Sequence, residues 1–181
     1  VKSILLHTCC GPCSIYPVDW LRKKEWTVRG FFYNPYIHPY QEFKKRLHTL
    51  QILAQMRDLP LILREDYDLE DYLRQMAFRE ENRCLVCYSK RIEATARLAH
   101  KSAFDAFTTT LLYSKRQQHN LIRDLARCAA KRWGVDFVYE DFREGWKEGQ
   151  ETAKRLNLYR QQYCGCILSE KERFAPFQKT R

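Results

Sequence analysis

The sequence predicts an α/β protein, a mostly parallel sheet covered by helices. Three observations lead there: apolar strand-like stretches recur along the chain, one-faced helical stripes lie between them, and distinctive polar segments follow the strand ends. Alternation of this kind builds a parallel sheet that binds ligands beyond the carboxyl ends of its strands. The length of 181 residues suits one domain spanning 1–181.

In chain order, the first strand is Ser3 to His7, and it runs into "HTCCGPCS". The second, Val28 to Tyr33, is followed by "NPYIHP". Phe43, Leu47, Leu50 and Ala54 then recur at helical spacing, the stripe of a helix packed on a sheet. A third strand is expected at Leu59 to Leu63 and a fourth at Phe104 to Leu112. Ser114 and Gln117 of "SKRQ" have capping-box spacing, which predicts a helix start there, with free amides and with Lys115 and Arg116 facing the crevice. The next stripe is Ile122, Leu125, Ala129 and Trp133, and Cys128 beside it reads as a small buried hydrophobe. A fifth strand, Val135 to Phe142, runs into "EDFREGWKEG". The tail from residue 170, "EKERFAPFQKTR", has little apolar periodicity and is expected to fray.

No apolar run approaches the roughly 18 residues of a membrane span, and no secretory leader is recognisable, so a soluble cytoplasmic protein with no membrane partner is expected. The net charge of +10 points to a nucleic-acid partner, although scattered charges also make an ordinary solvated surface. In a reducing compartment, eight cysteines indicate metal binding or redox chemistry rather than a structural disulfide framework.

Those cysteines fall into three groups: Cys9, Cys10 and Cys13; Cys84 and Cys87; Cys164 and Cys166. A Cys-x-x-Cys serves zinc, iron–sulfur and thiol redox chemistry alike. The adjacent Cys9 and Cys10 tilt the choice towards a cluster, whose separate iron corners suit neighbouring thiolates better than one tight chelate. The turn at Gly11-Pro12 brings Cys13 back as a spare or second-site ligand. Cys164 and Cys166 bracket one glycine, a spacing open to a strained, easily reduced disulfide or to metal ligation.

Together "CCGPCS", "NPYIHPYQEFKKR", "RCLVCYSKR", "FDAFTTTLLYSK" and "LYRQQYCGCILS" resemble the cobalamin-independent epoxyqueuosine reductases, over residues 4 to 169. The resemblance implies reduction of the epoxide of epoxyqueuosine to queuosine at the tRNA wobble position. It also implies a nucleotide-loop Rossmann-type domain, a 4Fe-4S cluster on Cys9, Cys10, Cys84 and Cys87, and a redox-active disulfide of Cys164 and Cys166. The Ser-Gly-Gly-x-Asp-Ser loop of nucleotide-dependent relatives of that fold is replaced here by "CCGPCS", so metal stands where triphosphate would. Lys115 stands where the family commonly has proline.

Such a reaction needs two electrons and two protons. The partners implied are an external electron donor and the tRNA anticodon loop carrying epoxyqueuosine. Cys13 with Asp19 is a candidate site for an additional mononuclear iron acting as Lewis acid. Tyr163, Tyr88, Asp19 and His7 are candidate proton donors by adjacency to the cysteines. Tyr33, Tyr36, His38 and Tyr113 are candidate stacking faces for a flipped base, and Tyr16 and Tyr40 read equally as core. Two competing readings are a zinc-stabilised RNA-binding module and a thiol–disulfide oxidoreductase.

Overall fold

The computed structural model describes residues 2–175. Its sheet consists of β1 (Ser3–His7), β2 (Thr27–Tyr33), β3 (Leu61–Arg64), β4 (Ala106–Thr109) and β5 (Asp136–Phe137), in the order β3-β2-β1-β4-β5. Every pairing is parallel. β1 is central and unexposed at Ile4, Leu5 and Leu6, as a strand covered on both faces must be.

Alternation along β1 divides the core. Leu5 packs with residues of α4 (Arg83–Lys101) and α5 (His119–Trp133), whereas Ile4 and Leu6 pack with α1 (Gly11–Lys23) and the end of α2 (Tyr40–Met56). The predicted stripe Phe43, Leu47, Leu50, Ala54 is buried. Three shorter helices complete the domain: α3 (Leu69–Met76), α6 (Trp146–Arg155) and α7 (Ile167–Phe174). No helix among the described residues is long and apolar enough to cross a membrane.

Several boundaries differ from expectation. β4 ends at Thr109, where the chain tightens into a 3-10 turn at Thr110–Tyr113. β5 has only two residues, because it pairs on one side only and its continuation turns in to bury Phe142 against Trp20, 5.7 Å between ring centroids. The helix expected from Ser114 opens later, at His119. Ser114 closes a separate turn instead, its hydroxyl accepting the Arg116 amide at 3.2 Å. Lys115 is exposed. Cys128 is exposed rather than buried, because the inward face of α5 is Ile122, Ala126 and Ala129. The expected fraying from residue 170 does not hold through Phe174, which ends α7; residues 176–181 lie outside the described part.

β1 sits at the topological switch point, with β2 and β3 on one side and β4 and β5 on the other. Chains leaving adjacent strands in opposite directions open a crevice between β1 and β4. "CCGPCS" enters that crevice.

Candidate active site

Cys9 and Cys10 form the junction between β1 and α1, and Cys13 lies in the first turn of the helix. Cys10 caps α1 from an extended backbone, and Pro12 in the first turn presets the helical dihedral. The three thiols converge within 4.8 Å of one another and are all buried.

Neighbours divide the roles of the three. The Thr110 hydroxyl donates to Cys9 Sγ at 3.3 Å, and the Cys9 amide donates to that hydroxyl oxygen at 3.1 Å. Hydrogen bonds from Cys10 and Cys13, with that of Thr110, hold the Cys9 thiol well below its ordinary pKa despite burial. Burial raises Cys10, and the hydrogen bonds it shares with Cys10 and Cys9 raise Cys13. Gln161 joins this pair, accepting from Cys10 Sγ at 3.2 Å and donating to Cys13 Sγ at 3.0 Å.

A second group gathers opposite. Cys84 and Cys87 lie in the first turns of α4, and Cys84 packs against the core cluster that contains Cys9, Cys10 and Cys13. Burial raises both thiols, Cys87 to about 12. Cys164 and Cys166 are both free thiols. Cys164 meets Gln117 Nε2 at 3.2 Å, while Cys166 packs with Tyr36, Tyr72 and Met76. Burial opposes ionisation of Cys166, but hydrogen bonds from Tyr72 and Ser169 lower its pKa overall. The loop is fastened by Arg46, which donates to the carbonyls of Cys164 at 2.7 Å and Tyr163 at 3.0 Å and pairs with Glu42 at 2.7 Å. Gly165 has φ +157, and a side chain there would press on Ile37 and Arg46.

The first and last of these groups open onto one cavity of about 330 Å³, lined by Cys9, Cys13 and Cys164 and by five arginines, whereas Cys84 and Cys87 are not on its lining. Gln117, Gln150, Gln161 and Gln162 line it too, and among the described residues none of its lining is a carboxylate. Soft, all-thiolate donors in cationic surroundings fit a thiophilic metal or an iron–sulfur group rather than magnesium or calcium. Much of this lining was not singled out from sequence. The tripeptide Arg-Gln-Gln occurs at 116–118 and again at 160–162, and both copies reach the cavity; that recurrence was the available signal.

Other expected residues fall elsewhere. Asp19 lies nine residues beyond Cys10 along α1, about 13 Å away at the helical rise, and pairs with Arg57 at 2.9 Å. It neither lines the cavity nor joins the group of Cys9, Cys10 and Cys13. His7 is wholly buried between Thr109 and the Tyr33 carbonyl. The Tyr88 hydroxyl donates to Gln117 at 2.6 Å. Tyr163 does line the cavity, but its hydroxyl bonds the His38 carbonyl. Tyr33, Tyr36, His38 and Tyr113 are buried and present no free stacking face. Of the two residues read equally as core, Tyr16 is half-buried and Tyr40 is exposed. The indole lining the cavity is half-buried Trp146, packed on Tyr113 with centroids 5.1 Å apart.

The fold is similar to a solved structure described as the predicted subunit of tRNA methyltransferase from Methanocaldococcus jannaschii, with TM-score 0.60, 11% identity, and coverage of 85% of this chain and 75% of that one. The sequence is 34% identical to the epoxyqueuosine reductase QueH of Dehalococcoides mccartyi, over 95% of this chain and 94% of the relative. It is 33% identical to that of Thermotoga maritima, over 94% and 92%. The profile of epoxyqueuosine reductase QueH matches residues 4–172, a span that includes all three cysteine groups, and the chain therefore belongs to that family.

Proposed function

We propose that this protein reduces the epoxide of epoxyqueuosine to the alkene of queuosine at the wobble position of tRNA, with a 4Fe-4S cluster held by Cys9, Cys10, Cys84 and Cys87. The observation that carries the reading is the convergence of thiols from two chain segments, Cys9 with Cys13 and Cys164, on one cationic cavity at the sheet's switch point, with Cys84 packed against the core cluster that contains Cys9, Cys10 and Cys13. When bound, such a cluster supplies electrons singly, at potentials that reach about −700 mV in low-potential centres.

The chain's own residues account for the rest. Cys164 and Cys166 as thiols carry two electrons and two protons. Oxidation to a disulfide releases that complement, which balances epoxide going to alkene plus water. An external donor then restores the dithiol. Exposed Arg116, Arg160 and Arg173 on the cavity lining are placed to hold phosphates flanking a nucleotide turned out of the anticodon loop. Trp146 offers that base a stacking face. Gln161 holds Cys10 and Cys13 in position, and Arg46 holds the Cys164 loop. Action on tRNA implies the cytoplasm.

Iron and acid-labile sulfide per chain, measured after anaerobic purification, test the ligand set. Cys9→Ala, Cys10→Ala, Cys84→Ala and Cys87→Ala should each lower both. Full iron in all four would overturn the assignment. A second reading follows from the closeness of Cys9, Cys10 and Cys13, which suits one metal ion bound by all three. Cys13→Ala would then abolish metal binding, whereas for a cluster on the other four it removes at most an additional mononuclear iron.

A further inference from the structure

Arg91 lies one turn beyond Cys87 and two turns beyond Cys84 on α4, so the three share a helix face. It is 3% exposed and lines the cavity with Cys9, Cys13 and Cys164. Its Nε has no hydrogen-bond partner among the described residues. Arg46, the other buried arginine on this cavity, differs in having Glu42 and two carbonyls. A guanidinium stays charged in proteins, and an uncompensated buried charge costs several kcal/mol. With no carboxylate lining the cavity among the described residues, the negative charge within reach is sulfur. Burial opposes the charge on Arg91, and Cys87, Cys164 and Cys9 favour it.

We propose that Arg91 is the buried counter-charge of the thiolate centre and makes that centre easier to reduce. The proposal rests on the reading that the cysteines hold an iron–sulfur cluster. One-electron reduction by an external low-potential donor adds one negative charge to the centre. Arg91 takes no part in proton transfer; its fixed charge stabilises the reduced form more than the oxidised one.

The test is an anaerobic potentiometric titration with dithionite, followed by absorbance and electron paramagnetic resonance, on the full chain and on Arg91→Gln and Arg91→Lys. Iron and sulfide are measured first. Their absence from the unsubstituted protein would reject the cluster, and Arg91's role with it. With iron present, Arg91→Gln should keep iron and shift the midpoint to lower potential, and Arg91→Lys should recover most of the shift. An unchanged midpoint in Arg91→Gln would overturn the proposal while leaving the cluster standing. If Arg91→Gln loses its iron, Arg91→Lys decides: iron retained near the original potential supports the counter-charge, and equal loss of iron rejects it.

Discussion

Two buried histidines hold neighbouring backbone in place and carry a pH signature. Burial lowers His7 and His38 to about 4 each, with Arg91 acting in the same direction. In the unfolded chain both return to about 6.5, so between those values the unfolded state binds more protons. Their contribution is complete above about pH 6.5 and is lost as pH falls towards 4, by about 3 kcal/mol for each ring. Urea unfolding of the metal-free protein at pH 7 and pH 4.5 should show this loss, and His38→Gln should reduce it. An equal pH dependence with and without His38 would reject the assignment. At this scale the cysteines were legible because soft ligands announce their chemistry by type. Asp19 falls away from the cavity because adjacency in sequence says nothing about which end of the helix meets the site, and six residues beyond Cys13 is more than one and a half turns along α1.

The site depends on how closely α1 approaches α2. A Cβ built on Gly11 would lie 2.8 Å from the Thr49 carbonyl oxygen and 3.0 Å from its methyl, so the two helices can touch there only without a side chain. Gly11→Ala should force α1, and with it the Cys10 cap and Cys13, away from α2. Overpacking of this kind costs about 1–3 kcal/mol. The urea midpoint should fall with an unchanged slope, and metal retention should fall with it; a variant with the original midpoint would refute the contact. Helices α2 and α5 were readable because each lays an apolar stripe on the sheet, and their periodicity survives in the buried residues Phe43, Leu47, Leu50, Ile122 and Ala129. The ends of β4 and β5 were not, because apolar residues continue past the last pairing into 3-10 turns that bury Leu111, Leu112 and Phe142 equally well. Hydrophobicity reports burial, and burial does not separate a strand from a packed turn.

For the whole molecule, the net charge of +10 and the arginines on the cavity predict tRNA binding dominated by phosphate contacts. Counterion release then makes the logarithm of the binding constant fall linearly with the logarithm of salt, by about 0.7 per single-stranded phosphate neutralised. Filter or fluorescence titrations between about 50 and 200 mM salt measure the slope, and a flat response would exclude phosphate contacts as the source of affinity. Sequence alone determined the layered α/β class, through the alternation of two periodicities, and the presence of a thiol site at the end of β1, through a cysteine cluster where an apolar strand stops. Only the tertiary structure decided which residues complete that site. Arg46, Arg91, Gln117 and Gln161 come from four separate segments, and each is an ordinary polar residue until folding brings it to the cysteine-lined cavity. A partner's identity across a hundred residues of chain depends on strand order and crossover, and the switch between β1 and β4 is what brings Thr110 to Cys9 and the 160–164 loop over both.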